Sequence, residues 1–236
     1  WKHLKDLNIG EKLKLLPPIF NTEYQEVEIN LGLPILNYKL KIDETLAEFI
    51  GLFMGDGSLG KDKTGSGYTL SLAFDGQDTD LIDSFEKRMV SLFGKANKRI
   101  TGTKKGCIEL RFNSKYLGEF ARSLSLVKRH DDDRFRRFVH IPNYIRNSPK
   151  SVVSAFLRGL FEADGFCGYP SPRVAFFSQY EEFARDVQLL LLGFGITCRF
   201  TIANKKAGDG HSYIGRQLEL RKNETEKYMS EIGFLS

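Results

Sequence analysis

Apolar and polar residues follow a helical period in some stretches of this chain and alternate in others. The clearest helical stretch begins after Asp43, a suitable N-cap, and its apolar residues recur every three or four positions: Leu46, Phe49, Ile50 and Phe53. Gly55 and Gly57 end this stretch. The pattern therefore predicts an amphipathic helix that stops at a glycine-containing turn.

The stretches that follow predict a mixed order of helices and strands. Short apolar alternations near 68–74 and 106–112 are typical of strands, and helical spacing between 81 and 93 predicts a helix that ends at Gly94. A helix from about 115 to 124 completes an αββαββα unit. The same order returns downstream: a helix at about 151–163, strands near 165–178, a helix at about 180–193, strands near 196–203 and 212–221, and a helix at about 224–232. We therefore expect an α+β fold of two αββαββα halves.

A nine-residue pattern links the two halves. FIGLFMGDG at 49–57 returns as LRGLFEADG at 157–165, so that each copy ends in an acid and a glycine, and the acids Asp56 and Asp164 are 108 positions apart. Residues 109–113 are echoed at 219–223, 110 positions later, and residues 115–119 resemble 227–231. These ordered matches indicate an internal duplication, and a duplicated module predicts a pseudo-two-fold site.

The repeat also predicts the division of the chain. We expect an additional N-terminal element at 1–42, a first repeat at 43–126, a charged connector with two prolines at 127–150, and a second repeat at 151–236. We expect the connector to run over the surface, because it is polar and proline-containing.

Small residues recur every four positions in both motif helices: Ala47, Gly51 and Gly55 in the first, and Ala155, Gly159 and Ala163 in the second. Such stripes let two helix backbones approach closely, which would place Asp56 and Asp164 side by side. Neighbouring carboxylates repel each other and favour a divalent cation, and oxygen ligands with an open coordination sphere favour Mg²⁺. A metal held between two carboxylates can activate water against a phosphodiester. Asp-Gly is also a common turn dipeptide, so either acid alone would be interpreted as structural.

Polar residues line one face of the predicted strands in each half. The candidate DNA-binding residues are Arg99, Thr101 and Arg111 in the first half, and Arg199, Thr201 and Arg221 in the second. Arginine reads guanine and contacts phosphate, and a β-ribbon fits the major groove of DNA. An ordinary solvated sheet face remains the alternative for any single one of these residues.

Composition narrows the classes of protein only modestly. The chain has 236 residues, a net charge of +5 and a pI near 9.0, which fits a polyanionic partner without requiring one. The chain contains no run of 18 apolar residues, so we expect no membrane association. The three cysteines lack metal-binding spacing, which favours reduced thiols in an intracellular protein of the cytoplasm, the nucleoid or an organelle.

The two motifs closely resemble the LAGLIDADG homing endonucleases in their single-chain, two-motif form. The resemblance implies a saddle of antiparallel sheets with the motif helices packed at the interface of the halves. It further implies that Asp56, Asp164 and the carbonyls of Gly55 and Ala163 bind Mg²⁺, with Mn²⁺ as a substitute. A monomer that needs no protein partner would then make a staggered double-strand cut in a long double-stranded DNA target.

Other family roles fall on further positions. By resemblance, Asp78 and Gln179 would position catalytic water, and Lys115 would support the first active site, with Lys222 or Lys227 as its counterpart. The sixth motif position is Met54 in one copy and Glu162 in the other, so we expect it not to be essential.

The first 13 residues and the end of the chain are similar to intein endonucleases, which makes 1–42 a candidate intein linker element. No splice-junction nucleophile begins the sequence and no His-Asn ends it, so we expect no self-splicing. Two other functions remain open: an RNA-binding intron maturase, and a DNA-binding regulator that has lost cleavage.

Overall fold

The computed structural model describes residues 8, 18–32, 37–61, 67–94, 97–100, 106–129, 135–137, 140–168, 173–206 and 212–235. An antiparallel hairpin, β1 (Glu26–Asn30) and β2 (Asn37–Lys41), precedes the repeats. The first repeat then contains α1 (Glu44–Asp56), β3 (Ser58–Lys61), β4 (Tyr68–Asp75), α2 (Thr79–Phe93), β5 (Asn97–Ile100), β6 (Cys107–Ser114) and α3 (Leu117–Ser123). Helix α1 starts as predicted, because the Asp43 carboxylate accepts a hydrogen bond of 2.9 Å from the backbone N–H of Leu46.

A short connecting region separates the two repeats. It contains the hairpin β7 (Val127–Arg129) and β8 (Phe135–Arg137), followed by α4 (Asn143–Arg146). The second repeat contains α5 (Lys150–Asp164), β9 (Gly165–Gly168), β10 (Arg173–Ser178), α6 (Glu181–Gly193), β11 (Arg199–Lys206), β12 (Ser212–Leu220) and α7 (Lys222–Glu231). Both halves thus have the predicted αββαββα order, and the α+β fold class is confirmed.

The two halves share one sheet topology. The first sheet has the order β3-β4-β6-β5 and the second the order β9-β10-β12-β11, with every pair antiparallel. Alternate side chains of the central strands are buried against the helices: Leu70, Leu72, Leu110 and Phe112 in the first half, and Val174, Phe176, Leu218 and Leu220 in the second. We call the opposite side of each sheet the open face.

The motif helices α1 and α5 pack directly against each other along their small-residue stripes. A Cβ added to Gly51 would overlap the carbonyl oxygen of Phe156, and one added to Gly159 would overlap the carbonyl oxygen of Glu48. Phe156 lies 108 positions after Glu48, as Gly159 does after Gly51. The helix pair therefore has pseudo-two-fold symmetry, as the duplication predicts.

Strand register corrects the alignment of the repeats downstream of the motifs. The residue two positions after each motif acid begins a row of cross-strand partners in its sheet. This row is Ser58, Ser71 and Arg111 in the first half, and Phe166, Ala175 and Glu219 in the second. Arg111 is thus equivalent to Glu219, 108 positions on, and the spacing of 110 taken from the sequence echo is wrong. The echo at 227–231 is wrong for the same reason, since equivalent buried side chains in α3 and α7 are also 108 apart: Leu117, Phe120 and Leu124 against Thr225, Tyr228 and Ile232.

The segments outside the repeats are partly built into the core. The N–H of Asn30 in β1 donates to Ser123 Oγ of α3 at 3.1 Å, and Ile29 and Ile42 are fully buried. In the connecting region Ile141 and Ile145 are buried as well. The expectation of a connector that only crosses the surface was therefore incomplete. Within the described ranges, no helix has both the length and the apolar character needed to cross a lipid bilayer.

Candidate active site

Asp56 and Asp164 end the two motif helices where these helices touch. A Cβ added to Gly55 would overlap the Cβ of Ala163 and would lie 3.6 Å from Cγ of Asp164. Asp56 is exposed and Asp164 is partly exposed. The packing of α1 on α5 therefore brings the two predicted acids to one seam between the halves.

The glycine after each acid is required by the turn from helix to strand. The N–H of Gly57 donates to the carbonyl of Phe53 at 3.0 Å, and that of Gly165 donates to the carbonyl of Phe161. A Cβ at Gly57 would lie 2.6 Å from the Phe53 oxygen, and one at Gly165 would lie 2.9 Å from the Phe161 carbonyl carbon. Both contacts are too close for a side chain. The Asp-Gly pair thus turns the chain sharply while the carboxylate stays at the helix end.

The seam is suited to a cation. Two helix C-termini meet there, each carries the partial negative charge of its dipole, and neither α1 nor α5 has a basic residue in its last turn. Among the described residues, no group of three or more His, Cys, Asp or Glu side chains could hold a metal. A cation here would accordingly be bound by the two carboxylates and by oxygens of the backbone, substrate or water. These hard oxygen donors suit Mg²⁺ or Mn²⁺.

The predicted lysines have different surroundings. Lys115 is exposed directly after β6, with its Nζ 4.8 Å from the ring centre of Tyr116. Lys222 is exposed in the first turn of α7, whereas Lys227 Nζ donates to the carbonyl of Gly195 at 3.1 Å, at the far end of α6. Strand register makes Asn223 the equivalent of Lys115. The position of Lys222, one residue from Asn223, favours it over Lys227 as the second-site lysine.

The polar residues predicted to position water are not at equivalent places. Gln179 directly follows β10 and is exposed, and its carbonyl accepts from Arg216 at 2.6 Å. Strand register makes Asp75, the last residue of β4, the equivalent of Gln179. Asp78 lies three residues further on, in the N-cap position of α2 without a capping hydrogen bond. Asp78 and Gln179 were matched because each precedes a glycine, Gly94 or Gly195, by 16 residues, and strand register adds Asp75 as a second candidate.

The open face of the first sheet carries a paired arginine. Arg111 donates from Nε and Nη2 to the two carboxylate oxygens of Glu109, both at 2.7 Å, and this pairing raises the pKa of Arg111. Arg99 stands opposite Glu109 in β5, but its side chain and the whole of Thr101 lie outside the described residues. The candidate guanine-reading arginine thus already has a carboxylate partner.

The open face of the second sheet presents more exposed cations. Arg199 is exposed opposite Glu219, and Arg221 is exposed in the N-cap position of α7. Thr201 is half-buried and donates to the carbonyl of Gln217 at 3.5 Å. Glu219 also pairs with Arg173, whose Nη1 lies 3.2 Å from Glu219 Oε1. All three predicted residues of this half lie on or at the end of the open face.

One cluster was missed by sequence reasoning. Glu48 of α1 is buried at 4% exposure and pairs with Arg88 of α2 and, at 3.2 Å, with Arg158 of α5. Burial raises the pKa of Glu48, and the two guanidinium groups oppose that rise. Arg158 also donates to the carbonyl of Ile232 at 2.8 Å. The only sequence signal was an acid within the apolar helix.

The sixth motif position differs between the copies in its contacts. Met54 is buried at 6% exposure, whereas Glu162 accepts a hydrogen bond of 2.7 Å from the N–H of Leu235. Glu162 therefore ties α5 to the end of the chain, a contact that Met54 cannot make.

Comparison with known families and proteins agrees with this geometry. Residues 151–233 match the LAGLIDADG-like domain, and residues 46–109 match the WhiA LAGLIDADG-like domain. The fold is similar to that of the homing endonuclease I-DmoI. Mesophilic variants of I-DmoI have a TM-score of 0.55 at 21% identity over 80% of this chain and 95% of theirs. I-DmoI in complex with DNA and Mn has a TM-score of 0.54 at 20% identity over 80% and 96%.

The curated relatives are longer proteins. The chain is 29% identical over 239 residues to a DNA polymerase of Thermococcus litoralis, covering 96% of this chain and 13% of the polymerase. It is 30% identical over 156 residues to a probable translation initiation factor IF-2 of Thermococcus kodakarensis, covering 66% and 12%. It is 28% identical over 237 residues to a replication factor C small subunit of Methanocaldococcus jannaschii, covering 99% and 11%.

The chain thus spans about an eighth of the length of these relatives. Two family matches in tandem, the shared fold and the paired motif helices lead to one assignment: this chain belongs to the LAGLIDADG family, in its single-chain, two-motif form.

Proposed function

We propose that this chain is a site-specific endonuclease that hydrolyses both strands of a long duplex DNA target and leaves a staggered break. One observation carries the proposal: two carboxylates end two helices in backbone contact, at a seam with no basic residue in either last turn. The open faces of two similar sheets extend from this seam, one for each half of the target. The chain acts as a monomer, because it contains both halves.

The carboxylates of Asp56 and Asp164, with the carbonyls of Gly55 and Ala163, would hold Mg²⁺ or Mn²⁺. When bound, such a cation lowers the pKa of water and stabilises the leaving oxygen of a phosphodiester. The acids are chemically suited to this role because they are hard oxygen ligands at partly solvated helix ends. I-DmoI has been solved with DNA together with Mn, Ca and, in a variant, Mg, which supports a divalent metal here.

Residues around the acids would bind and orient the substrate. Lys115 and Lys222, as flexible cations next to the strand ends, would contact the phosphate that develops charge. Gln179 in the second half, and Asp78 or Asp75 in the first, would accept hydrogen bonds from the attacking water. Residues of the open faces would fix the target in register by phosphate contacts and by contacts to base edges.

The relatives also support an intein origin. A segment similar to 66% or more of the chain occurs in a DNA polymerase and in a probable translation initiation factor IF-2, two proteins with unrelated tasks, and fills only about an eighth of each. A segment shared by unrelated hosts is typical of a mobile insertion. We propose that this chain is the endonuclease part of such an insertion.

Cleavage-site selection from a randomised duplex library with Mg²⁺ tests the proposal. The wild-type chain should enrich one long sequence and cut both of its strands. Asp56→Asn and Asp164→Asn should each lose double-strand cleavage and still bind the selected duplex in an electrophoretic assay. Asp80→Asn, which changes an exposed acid in the first turn of α2, is the matched control and should cut normally.

The outcomes separate the alternatives. If either motif variant still cuts both strands at the wild-type rate, the assignment of the acids is wrong. Binding of the duplex without cleavage by the wild-type chain would indicate a DNA-binding regulator. Binding of folded intron RNA in preference to duplex DNA would indicate a maturase.

A further inference from the structure

Each open face carries a glutamate that pairs with an arginine, which is unusual on a surface expected to meet phosphates. In the first sheet Glu109 accepts two hydrogen bonds from Arg111, both at 2.7 Å, and its side chain is only 14% exposed. In the second sheet Glu219 pairs with Arg173 at 3.2 Å. The pair in the first sheet, with two shorter hydrogen bonds, is the stronger of the two.

The Glu109–Arg111 pair lies close to the proposed active site. Arg111 stands opposite Ser71, and Ser71 stands opposite Ser58, which follows the motif acid Asp56 by two residues. Adjacent strands are about 4.8 Å apart, so Arg111 lies about 10 Å across the sheet from Ser58. A base pair near the cleaved bonds is therefore within reach of this pair.

Charge pairing decides what Arg111 can bind. A guanidinium that already donates two bonds to a carboxylate gains little from a phosphate, because the same phosphate is repelled by Glu109. In the major groove, a G·C base pair presents a partner for each of the two side chains, since guanine O6 and N7 accept from arginine and cytosine N4 donates to a carboxylate. One G·C base pair can thus satisfy both side chains at once.

We propose that Glu109 is a specificity-determining residue, which keeps Arg111 from phosphates and releases it only to a G·C base pair on one side of the cut. Strand register makes Gln217 and Glu219 the equivalents of Glu109 and Arg111, so the second half lacks the same arrangement. The inference rests on the proposed function, because it concerns recognition of the same DNA target.

The experiment compares wild type, Glu109→Gln, the double variant Glu109→Gln/Arg111→Gln and the control Glu119→Gln. Glu119 also pairs with an arginine, Arg122, but on the surface of α3, so its substitution makes the same change in charge away from the sheets. Cleavage-site selection from randomised duplex DNA with Mg²⁺ gives the sequence preference. Fluorescence anisotropy on a duplex without the target sequence gives the non-specific affinity, and thermal unfolding confirms that each variant is folded.

Wild type and Glu119→Gln should both prefer G·C at one position of one half-site. Glu109→Gln should lose about tenfold in preference there, because the freed Arg111 then binds a phosphate in place of guanine, and its bidentate base contact carries about that weight. It should bind the non-specific duplex about threefold to tenfold more tightly than Glu119→Gln, because Arg111 becomes one more phosphate contact. The double variant should lose this gain.

Equal non-specific affinity of Glu109→Gln and Glu119→Gln, or an unchanged preference in Glu109→Gln, overturns the proposal. If the wild-type chain cuts no DNA, the proposed cleavage activity fails, and the anisotropy comparison still decides the role of Glu109. If it binds no duplex at all, both proposals are overturned.

Discussion

Gly51 of α1 and Gly159 of α5 are equivalent residues, and each faces the backbone of the other helix. A Cβ on Gly51 would lie 2.7 Å from the backbone nitrogen of Leu160, and one on Gly159 would lie 3.1 Å from that of Leu52. Leu52 and Leu160 are themselves 108 positions apart. The glycines therefore set the distance between the helices that end in Asp56 and Asp164.

Gly51→Ala should destabilise the protein, because the added methyl group must push two helix backbones apart. We expect a loss of about 1–3 kcal/mol in the free energy of unfolding, the usual cost of overpacking, measured by urea denaturation. Gly60→Ala is the control, since a Cβ at Gly60 meets nothing within 4 Å. An unfolding free energy equal to that of the control would contradict the close approach of the helices.

Arg158→Met should remove one of the two cations that neutralise buried Glu48. Breaking a buried pair from one side is costly, and we expect a loss of about 3 kcal/mol at pH 7. Arg122→Met, which breaks an exposed pair with Glu119, should cost less than about 1 kcal/mol. The measurement is urea denaturation of both variants and wild type.

The loss of unfolding free energy caused by Arg158→Met should depend on pH. Burial already raises the pKa of Glu48 above its ordinary value of 4.5, and loss of Arg158 should raise it further. When folding raises the pKa of a carboxyl group, that group favours the folded state most at a pH below its unfolded-state pKa. This contribution to the free energy of unfolding is lost as pH rises through the folded-state pKa. The variant should therefore approach wild-type stability near pH 4 and fall away from it toward pH 7. A deficit independent of pH would exclude a charge effect.

Tyr228→Phe should stabilise the protein or leave it unchanged. Among the described side chains, the fully buried Tyr228 hydroxyl makes no hydrogen bond, and the equivalent residue in α3 is Phe120. Removing an unsatisfied hydroxyl gains about 1 kcal/mol. Burial raises the pKa of Tyr228 well above 10.0, so the wild-type protein loses stability as pH rises past that value. The variant should lose less between pH 9 and 11 in thermal unfolding.

Asp75→Asn and Asp78→Asn should separate the two candidates for positioning water in the first half. Strand register favours Asp75, because it is equivalent to Gln179. On the proposed function, Asp75→Asn should slow cleavage of one strand by about 100-fold in single-turnover assays, the lower end of the usual range for a proton-handling group. Asp78→Asn should have little effect. The reverse result would restore the original assignment of Asp78.

Local patterns predicted the elements of this fold well. Asp43 caps α1 as expected, and the helical and alternating stretches appear as helices and strands in the predicted order. The small-residue stripes predicted the contact of α1 with α5, because a glycine or alanine every fourth residue leaves a groove on one face of a helix. These features depend on residues close together in the chain.

Register and pairing across the sheets were not predicted. A shift of two residues keeps every strand side chain on the same face, so the sequence echo at 219–223 fitted the strand pattern as well as the true register does. Asp75 was overlooked for a different reason: Gly94 follows it by 19 residues, whereas Gly195 follows Gln179 by only 16, so equal spacing to the glycine selected Asp78. The partners of Arg111 and Glu48 depend on which side chains meet in space, and charge spacing along the chain does not report that.

By itself the sequence determined the duplication, the order of elements in each half and the two acids at the ends of matched helices, since each is written in local periodicity or in the repeated motif. Only the tertiary structure decided that β6 and β12 are aligned with a spacing of 108 residues, that Arg111 is held by Glu109, and that buried Glu48 joins the halves. Those facts arise from contacts between segments that are distant in the sequence. The energies of such contacts depend on packing and burial, which the periodicity of the sequence does not report.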